Sequence, residues 1–137
     1  MSPRAAGATA HELSRIGLLA TLPGETLAKL AQEMRREQVP AGTEIVNEGD
    51  EGDRFYVVDA GEVEIEIDGR EANVLGPGDY FGEIALLRDI PRTATARARR
   101  STELYALERD AFLTAVTGHD ASSEAAEGIV VARLGLT

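Results

Sequence analysis

The order of apolar and polar residues divides the chain into a helical beginning, a β-rich centre and a helical end. In the segment ETLAKLAQEM the apolar residues recur at spacings of three and four: Leu27, Leu30, Ala31 and Met34. This spacing is typical of an amphipathic helix that buries one face. A shorter apolar segment over 13–22 precedes it, so we predict helices over 13–34 that pack into a core.

The centre of the chain has the pattern of short strands separated by Gly and Asp clusters. Acidic and apolar residues alternate along one stretch: Glu62, Val63, Glu64, Ile65, Glu66 and Ile67. Such alternation indicates a strand with one solvated face. Asp68 and Gly69 follow at once, and this dipeptide favours a type I′ hairpin turn. The strand pattern returns over 93–99 and 103–108, which predicts a β-roll of about eight short strands over 35–108.

The last part of the chain is predicted to be helical again, over 109–134. Gly118 is expected to end the first of two helices, and the second carries apolar residues along one side. The small and polar residues 1–12 are predicted to form a flexible N-terminal arm. The remaining residues, 13–137, are expected to form one domain, mainly β with flanking helices.

Composition narrows the possible functions. A chain of 137 residues suits one domain, and a formal charge of −10 argues against a general nucleic-acid binder. The absence of cysteine excludes disulfides and fits a reducing compartment. No apolar run approaches the ~20 residues of a membrane span. We therefore expect a soluble cytoplasmic domain without membrane insertion, either free or on the cytoplasmic side of a membrane protein.

Candidate chemistry is concentrated in the stretch DYFGEIALLRDIPRTATARA, residues 79–98. A glycine leads there into good helix formers, and the start of such a helix leaves unpaired N–H groups at Gly82, Ile84 and Ala85 that attract an anion. Arg92 can close on the same anion through paired hydrogen bonds. Glu83 fits this site only if the ligand also carries hydroxyl donors, so the chemistry indicates a nucleotide monophosphate.

Two simpler interpretations of the same residues stay open at this point. Glu83 and Arg92 can form an ordinary ion pair beside a core helix. The five arginines of segment 88–100 can also form a solvated rim. That segment nevertheless differs from the rest of the chain, because it carries five arginines and one aspartate in an acidic protein.

The stretch FGEIALLRDIPRTATA resembles the phosphate-binding cassette of cyclic nucleotide-binding domains, whose pattern is F-G-E-[LI]-A-L-x(n)-P-R-[AST]-A. GTEIVNEGDEGDRFYVVDAGEVEI is similar to the second to fourth strands of that family, and LYALERDAFLTAV to its final strand and following helix. The resemblance covers roughly residues 13–134. It implies an eight-stranded β-roll, a double-stranded β-helix of jelly-roll type, with N-terminal helices, a short cassette helix and two C-terminal helices.

The resemblance also implies the roles of the site residues. Arg92 would hold the equatorial and axial phosphate oxygens together with the backbone N–H of Ala85, and Glu83 would accept the ribose 2′-hydroxyl. Gly82 would contribute backbone contacts, and Ile84 and Thr93 complete the predicted ligand set. A base lid would come from the last helix, with three candidates: Val130, Val131 and Leu134.

The identity of the base is left open by the sequence. In the family, a threonine at the position of Thr93 often accompanies guanine, which favours cGMP. The alanine- and arginine-rich composition suggests a bacterial chain, and on that ground we place cAMP before cGMP.

The leading functional prediction is a non-catalytic sensor that couples ligand binding to movement of its C-terminal helices. We predict no catalytic residues, no metal and no cofactor beyond the cyclic nucleotide, since His11 and His119 show no ligand spacing. The partner would be an effector domain or protein, or a second copy of the chain. The alternatives are the regulatory domain of a larger transporter, channel or enzyme, and a transcription regulator lacking its DNA-binding part.

Overall fold

A computed structural model of the chain describes residues 13–118 and 120–135. The predicted arm over residues 1–12 and the side chain of His119 lie outside these residues. Within them the elements follow one another in this order: helix α1 (Gly24–Glu33), strands β1 (Arg35–Val39), β2 (Glu44–Val46), β3 (Arg54–Ala60), β4 (Val63–Ile67), β5 (Arg70–Leu75) and β6 (Tyr80–Phe81), helix α2 (Glu83–Arg88), strands β7 (Thr95–Ala98) and β8 (Thr102–Glu108), and helices α3 (Arg109–Thr117) and α4 (Asp120–Gly135).

The eight strands form two antiparallel sheets of four strands each. One sheet has the order β1-β8-β3-β6 and the other β2-β7-β4-β5. The two sheets enclose a small apolar interior, and the helices pack on the outside of the first sheet. The predicted fold class, a mainly β roll of eight strands with flanking helices, is confirmed.

Strand β3 shows how one short segment serves two cores. Phe55 and Val57 belong to the apolar cluster shared with the helices, whereas Tyr56 and Val58 belong to the cluster inside the roll. Successive side chains of a strand point to opposite faces, so a continuous apolar run within a strand, here residues 55–58, is buried on both sides. Phe55 stacks on Phe112 of α3, with ring centroids 4.6 Å apart, which attaches that helix to the sheet.

The hairpin between β4 and β5 has the predicted turn. Asp68 and Gly69 both have positive φ, at 53° and 78°, as a type I′ turn requires. The two strands pair in register from Ile67 opposite Arg70 to Val63 opposite Leu75, with one irregularity between Ile65 and Glu66.

The N-terminal helix prediction is wrong for residues 15–22, which form a succession of turns, and the regular helix α1 begins only at Gly24. Three backbone hydrogen bonds of 2.8–3.1 Å link residues three apart: Ile16 to Leu13, Leu19 to Ile16, and Leu22 to Leu19. These four side chains are buried. A spacing of three belongs to the tighter 3₁₀ turn, and it competes in this segment with the α-helical period.

No helix within the described ranges is long and apolar enough to cross a membrane. Groups of acidic, His or Cys side chains suited to a metal ion are also absent from the described part of the chain.

Candidate functional site

The candidate site is built around the start of α2, where Gly82 holds a conformation that other residues avoid. Its φ is +96°, in the left-handed region. A Cβ atom at this position would lie 2.8 Å from the carbonyl oxygen of Arg54 and 2.9 Å from Nη1 of Arg92. Glycine is therefore required both for the turn into the helix and for the close approach of Arg92.

Helix α2 ends after six residues, because Asp89 adopts a left-handed conformation with a φ of 52°. Nη2 of Arg109, at the start of α3, donates a hydrogen bond of 2.8 Å to Oδ1 of Asp89. The end of the cassette helix is thus tied to the first C-terminal helix, and the chain can turn back toward Arg92.

Arg92 is fixed by hydrogen bonds from both its backbone and its side chain. Its backbone N–H donates to the carbonyl of Asp50 at 2.7 Å, and its own carbonyl accepts from Gly49 at 2.8 Å. Nη1 donates to the carbonyl of Gly82 at 3.1 Å, and Nη2 to that of Arg54 at 2.9 Å. Only 5% of this arginine is exposed, so its guanidinium is held rigidly at the cavity wall.

The charge of Arg92 is only weakly compensated by its surroundings. Its salt bridge is a loose one, 3.7 Å from Nη2 to Oδ1 of Asp53, whose side chain is 76% exposed. Burial lowers the pKa of Arg92, but a guanidinium stays charged in proteins. The carbonyls of Gly82 and Arg54 occupy two of its five N–H donors. The remaining donors and the charge suit an anionic ligand.

Gly52 is a site residue that the sequence analysis missed. A Cβ atom on it would lie 2.6 Å from Cβ of Ala85 and 3.4 Å from Cζ of Arg92. The loop before β3 therefore packs directly against the back of the cassette. Its sequence signal was a glycine in the run EGDEGDR, one of the Gly and Asp clusters that separate the predicted strands.

Glu83 is fully buried and is paired with an arginine from the last helix. Nη1 of Arg133 lies 2.8 Å from Oε1 and 2.6 Å from Oε2 of Glu83. Nη2 of Arg133 donates to the carbonyl of Tyr80 at 3.2 Å, and its Cζ lies 4.5 Å from the centre of the Tyr80 ring. The ion pair that we considered between Glu83 and Arg92 is thus replaced by one that reaches across to α4.

Burial raises the pKa of Glu83 above the ordinary value of 4.5 for its carboxyl group. The positive charge of Arg133 opposes this shift, and Arg92 does so more weakly. Glu83 is therefore a carboxylate whose charge depends on a side chain of α4.

These residues border a cavity of about 440 Å³, within the usual range for small-molecule sites. All six predicted ligand residues line it: Gly82, Glu83, Ile84, Ala85, Arg92 and Thr93. Much of the remaining lining is apolar and comes from the second sheet, with Val46, Ile65, Ile67, Ala72 and Leu75. The cavity thus combines charged and hydrogen-bonding groups with an apolar surface that suits a flat apolar group.

Of the three candidates for the base lid, the structure describes the side chains of two. Val130 is buried and Val131 is 59% exposed, and neither of them borders the cavity. The side chain of Leu134 lies outside the described part of the chain. Among the described side chains of α4, Arg133 lines the cavity, because its guanidinium reaches Glu83 from the same turn of the helix. As a single cation in IVVARL it gave no distinct sequence signal.

The remaining arginines of segment 88–100 form surface ion pairs. Arg97 bridges to Glu44, Glu64 and Glu66 across the second sheet. The other pairs are Arg88 with Glu127, Arg99 with Glu71 and Arg100 with Glu62. A charged rim is therefore the right interpretation for these four arginines, and Arg92 is the exception.

Comparison with known proteins identifies relatives of the part of the chain that contains the roll and the cassette. The sequence model of the cyclic nucleotide-binding domain matches residues 36–119. Among curated proteins, the cAMP-dependent protein kinase regulatory subunit of Emericella nidulans is 42% identical over 102 residues. The subunit of the same name from Yarrowia lipolytica is 39% identical over 102 residues. These matches cover 73% of this chain but only 25% and 27% of the relatives, so the chain spans about a quarter of their length.

Solved structures agree with this relationship. The regulatory domain of Toxoplasma gondii PKA, crystallised with cAMP, superposes with a TM-score of 0.74 at 36% identity. That match covers 84% of this chain and 46% of the other. The cAMP-bound PfPKA-R gives a TM-score of 0.75 at 28% identity, covering 93% of this chain and 46% of the other.

The comparisons also correct one prediction and support another. The bacterial origin suggested by composition is contradicted, since these curated relatives are fungal. The relatives are regulatory subunits, and the domain is a non-catalytic one. The family match extends over more than half of the residues and includes the six predicted ligand residues, Gly82 to Ala85, Arg92 and Thr93. The chain belongs to the cyclic nucleotide-binding domain family.

Proposed function

We propose that this chain is a sensor domain that binds a cyclic nucleotide in the cavity beside α2 and passes the binding event to its C-terminal helix. The observation that carries the proposal is the buried and preorganised Arg92, which lines a cavity that also has an apolar wall from the second sheet. A singly charged cyclic phosphate matches one guanidinium, and a purine matches the apolar wall. cAMP is the first ligand to test, because it appears in the names of the relatives, and cGMP is the alternative.

Within this proposal each site residue has a separate role. Arg92 holds the phosphate oxygens together with the backbone N–H of Ala85, and Glu83 accepts the ribose 2′-hydroxyl. Gly82 allows the ligand to approach the backbone, while Ile84 and Thr93 complete the wall near the phosphate. The two oxygens of Glu83 have enough lone pairs to accept from Arg133 and from a ribose hydroxyl together.

Titration calorimetry of the purified domain tests the ligand class. We expect cAMP and cGMP to bind, and 5′-AMP to bind far more weakly because its phosphate carries more charge than one arginine compensates. Arg92→Ala removes two charge-assisted hydrogen bonds of about 1.5–3 kcal/mol each, so affinity should fall roughly a hundredfold or more. Failure of both cyclic nucleotides to bind the wild-type domain, or unchanged affinity of the folded variant, would contradict the proposal.

Coupling to α4 is the second part of the proposal, and it rests on the contact between Arg133 and Glu83. Without Arg133, a buried negative carboxylate would face the negative phosphate. Arg133 therefore favours ligand binding by compensating Glu83, and thermodynamic linkage requires that the ligand in turn favours the docked position of α4.

Hydrogen exchange of α4 with and without cAMP tests this linkage. In the wild-type domain the ligand should slow exchange over residues 120–135. In Arg133→Ala affinity should fall about tenfold, and this protection should be lost. Arg88→Ala is the matched control, because it removes the other ion pair between α2 and α4, to Glu127, without touching the cavity. Equal behaviour of the two variants would refute a specific role for Arg133.

The proposal also includes an effector, the domain or protein that responds to the ligand-bound state. The relatives are regulatory subunits of a kinase and are much longer than this chain, so we propose that a further domain or a separate protein reads the position of α4. Homodimer formation and a cytoplasmic location stay predictions.

A further inference from the structure

We propose that Asn73 contacts the base of the ligand and raises the affinity for cGMP relative to cAMP. The inference rests on the proposed function, since it concerns the apolar wall of the same cavity. Asn73 is a polar side chain on the otherwise apolar wall formed by strands β4 and β5.

The register of the hairpin explains why Asn73 lies on this wall. Asn73 of β5 pairs directly with Ile65 of β4, and directly paired residues share a face of the sheet. Ile65 lines the cavity, and so does Asn73. The register irregularity that follows Ile65 adds Ala72 to the same wall. A purine that extends from the sugar along this wall thus meets one hydrogen-bonding side chain there.

The orientation of the Asn73 amide is determined by a backbone contact. The N–H of Val74 donates a hydrogen bond of 2.9 Å to Oδ1 of Asn73. A backbone N–H can only donate, so the atom that faces it must be the oxygen. One lone pair of Oδ1 is thus engaged by the backbone, whereas both N–H donors of the NH₂ group are available to a ligand.

A donor at this position discriminates between the two purines. The substituent at position 6 lies at the end of the base away from the sugar. It is the O6 acceptor in guanine and the N6 amino donor in adenine. Position 6 lies on both the Watson–Crick and the Hoogsteen edge of the base. The discrimination is therefore the same whether the base is syn or anti. The ring nitrogens of adenine can still accept, so the expected preference is modest.

The expected effect is that of one hydrogen bond. Asn73→Leu should weaken cGMP binding about three- to tenfold and change cAMP affinity by less than about twofold. Asn73→Asp replaces the donor by an acceptor and should shift the ratio further toward cAMP. Asn73 is exposed, so both substitutions should leave the fold intact.

Cyclic IMP separates Asn73 from Thr93, the other residue connected with guanine. It retains O6 but lacks the exocyclic amine that Thr93 would contact. Asn73→Leu should therefore weaken the binding of cGMP and cyclic IMP equally, whereas Thr93→Ala should weaken that of cGMP more than that of cyclic IMP.

Calorimetric titration of the full chain and of the three variants, Asn73→Leu, Asn73→Asp and Thr93→Ala, with cAMP, cGMP and cyclic IMP gives the affinity ratios between these nucleotides. A cGMP-to-cAMP ratio that is unchanged in Asn73→Leu, while both ligands still bind the wild type, overturns this inference and leaves the proposed function standing. If the wild type binds none of the three nucleotides, the proposed function and the inference fail together.

Discussion

Arg92 and Glu83 are two buried charges that lie on the same wall of the cavity but are held by different parts of the protein. Arg92 donates to backbone carbonyls, which fix its position and do not neutralise it. Glu83 receives a full countercharge from Arg133. A buried charge without compensation is costly, so the under-compensated member of the two, Arg92, is the better candidate for an anionic ligand.

The raised pKa of Glu83 makes a prediction about stability and pH. A carboxyl whose pKa is higher in the folded state than in the unfolded state is favoured by folding in its protonated form. The free energy of unfolding of the wild type, relative to that of Glu83→Gln, should therefore be highest below pH 4.5. It should decrease as the pH rises through the raised pKa.

Urea denaturation of both proteins across this pH range provides the measurement. The Gln variant is the control, because it keeps the size of the side chain and does not titrate. If the stability of the wild type relative to Glu83→Gln increased with rising pH, the effect of Arg133 on the pKa of Glu83 would be larger than that of burial. The predicted direction of the pKa shift would then be wrong.

The assignment of the ribose to Glu83 makes a second prediction at this scale. The wild type should bind cAMP about tenfold more tightly than 2′-deoxy-cAMP, because one charged hydrogen bond is lost with the hydroxyl. In Glu83→Ala the two affinities should become nearly equal. Competition binding measures both ratios, and a preference that survives in the variant would place the hydroxyl elsewhere.

At the scale of elements, the short helix α2 is held from three sides. The loop before β3 packs behind it through Gly52, Arg109 of α3 binds Asp89 at its end, and α4 binds Glu83 and Arg88. A shift of any of these neighbours would move the residues that line the cavity.

Gly52→Ala tests the packing behind α2. The new Cβ would be 2.6 Å from that of Ala85, so the helix or the loop must move. We expect a loss of about 1–3 kcal/mol in the free energy of unfolding and weaker cAMP binding. Gly24→Ala is the control, since no atom lies within 4 Å of its Cβ position. Chemical denaturation and calorimetry of the two variants make the comparison. A Gly52→Ala variant with unchanged stability and unchanged cAMP affinity would contradict the tight packing.

The sequence predicted best where one local pattern was enough. The strand alternation around Val63, the Asp68-Gly69 turn and the cassette from Gly82 to Arg92 each depend on neighbouring residues, and the structure has them as expected. Residues 15–22 were missed because their period of three is close to that of an α-helix. Gly52 and Arg133 were missed because their contacts depend on packing between distant segments.

At the scale of the whole molecule, the roll and the helices form two cores that meet in the first sheet. Strands β3 and β8 contribute to both, with Leu104 and Ala106 inside the roll and Tyr105 and Leu107 under the helices. The cavity lies where the second sheet, α2 and α4 meet. A ligand bound there would contact the roll and the last helix together, which is the arrangement that the proposed sensor needs.

A crystal structure of the domain grown with saturating cAMP tests the central claim most directly. We predict the cyclic phosphate at Arg92 and the N–H of Ala85, the ribose 2′-hydroxyl on Glu83, and the base along the wall of Ile65 and Asn73. Nucleotide bound elsewhere, or turned so that its phosphate lies away from Arg92, would contradict that claim.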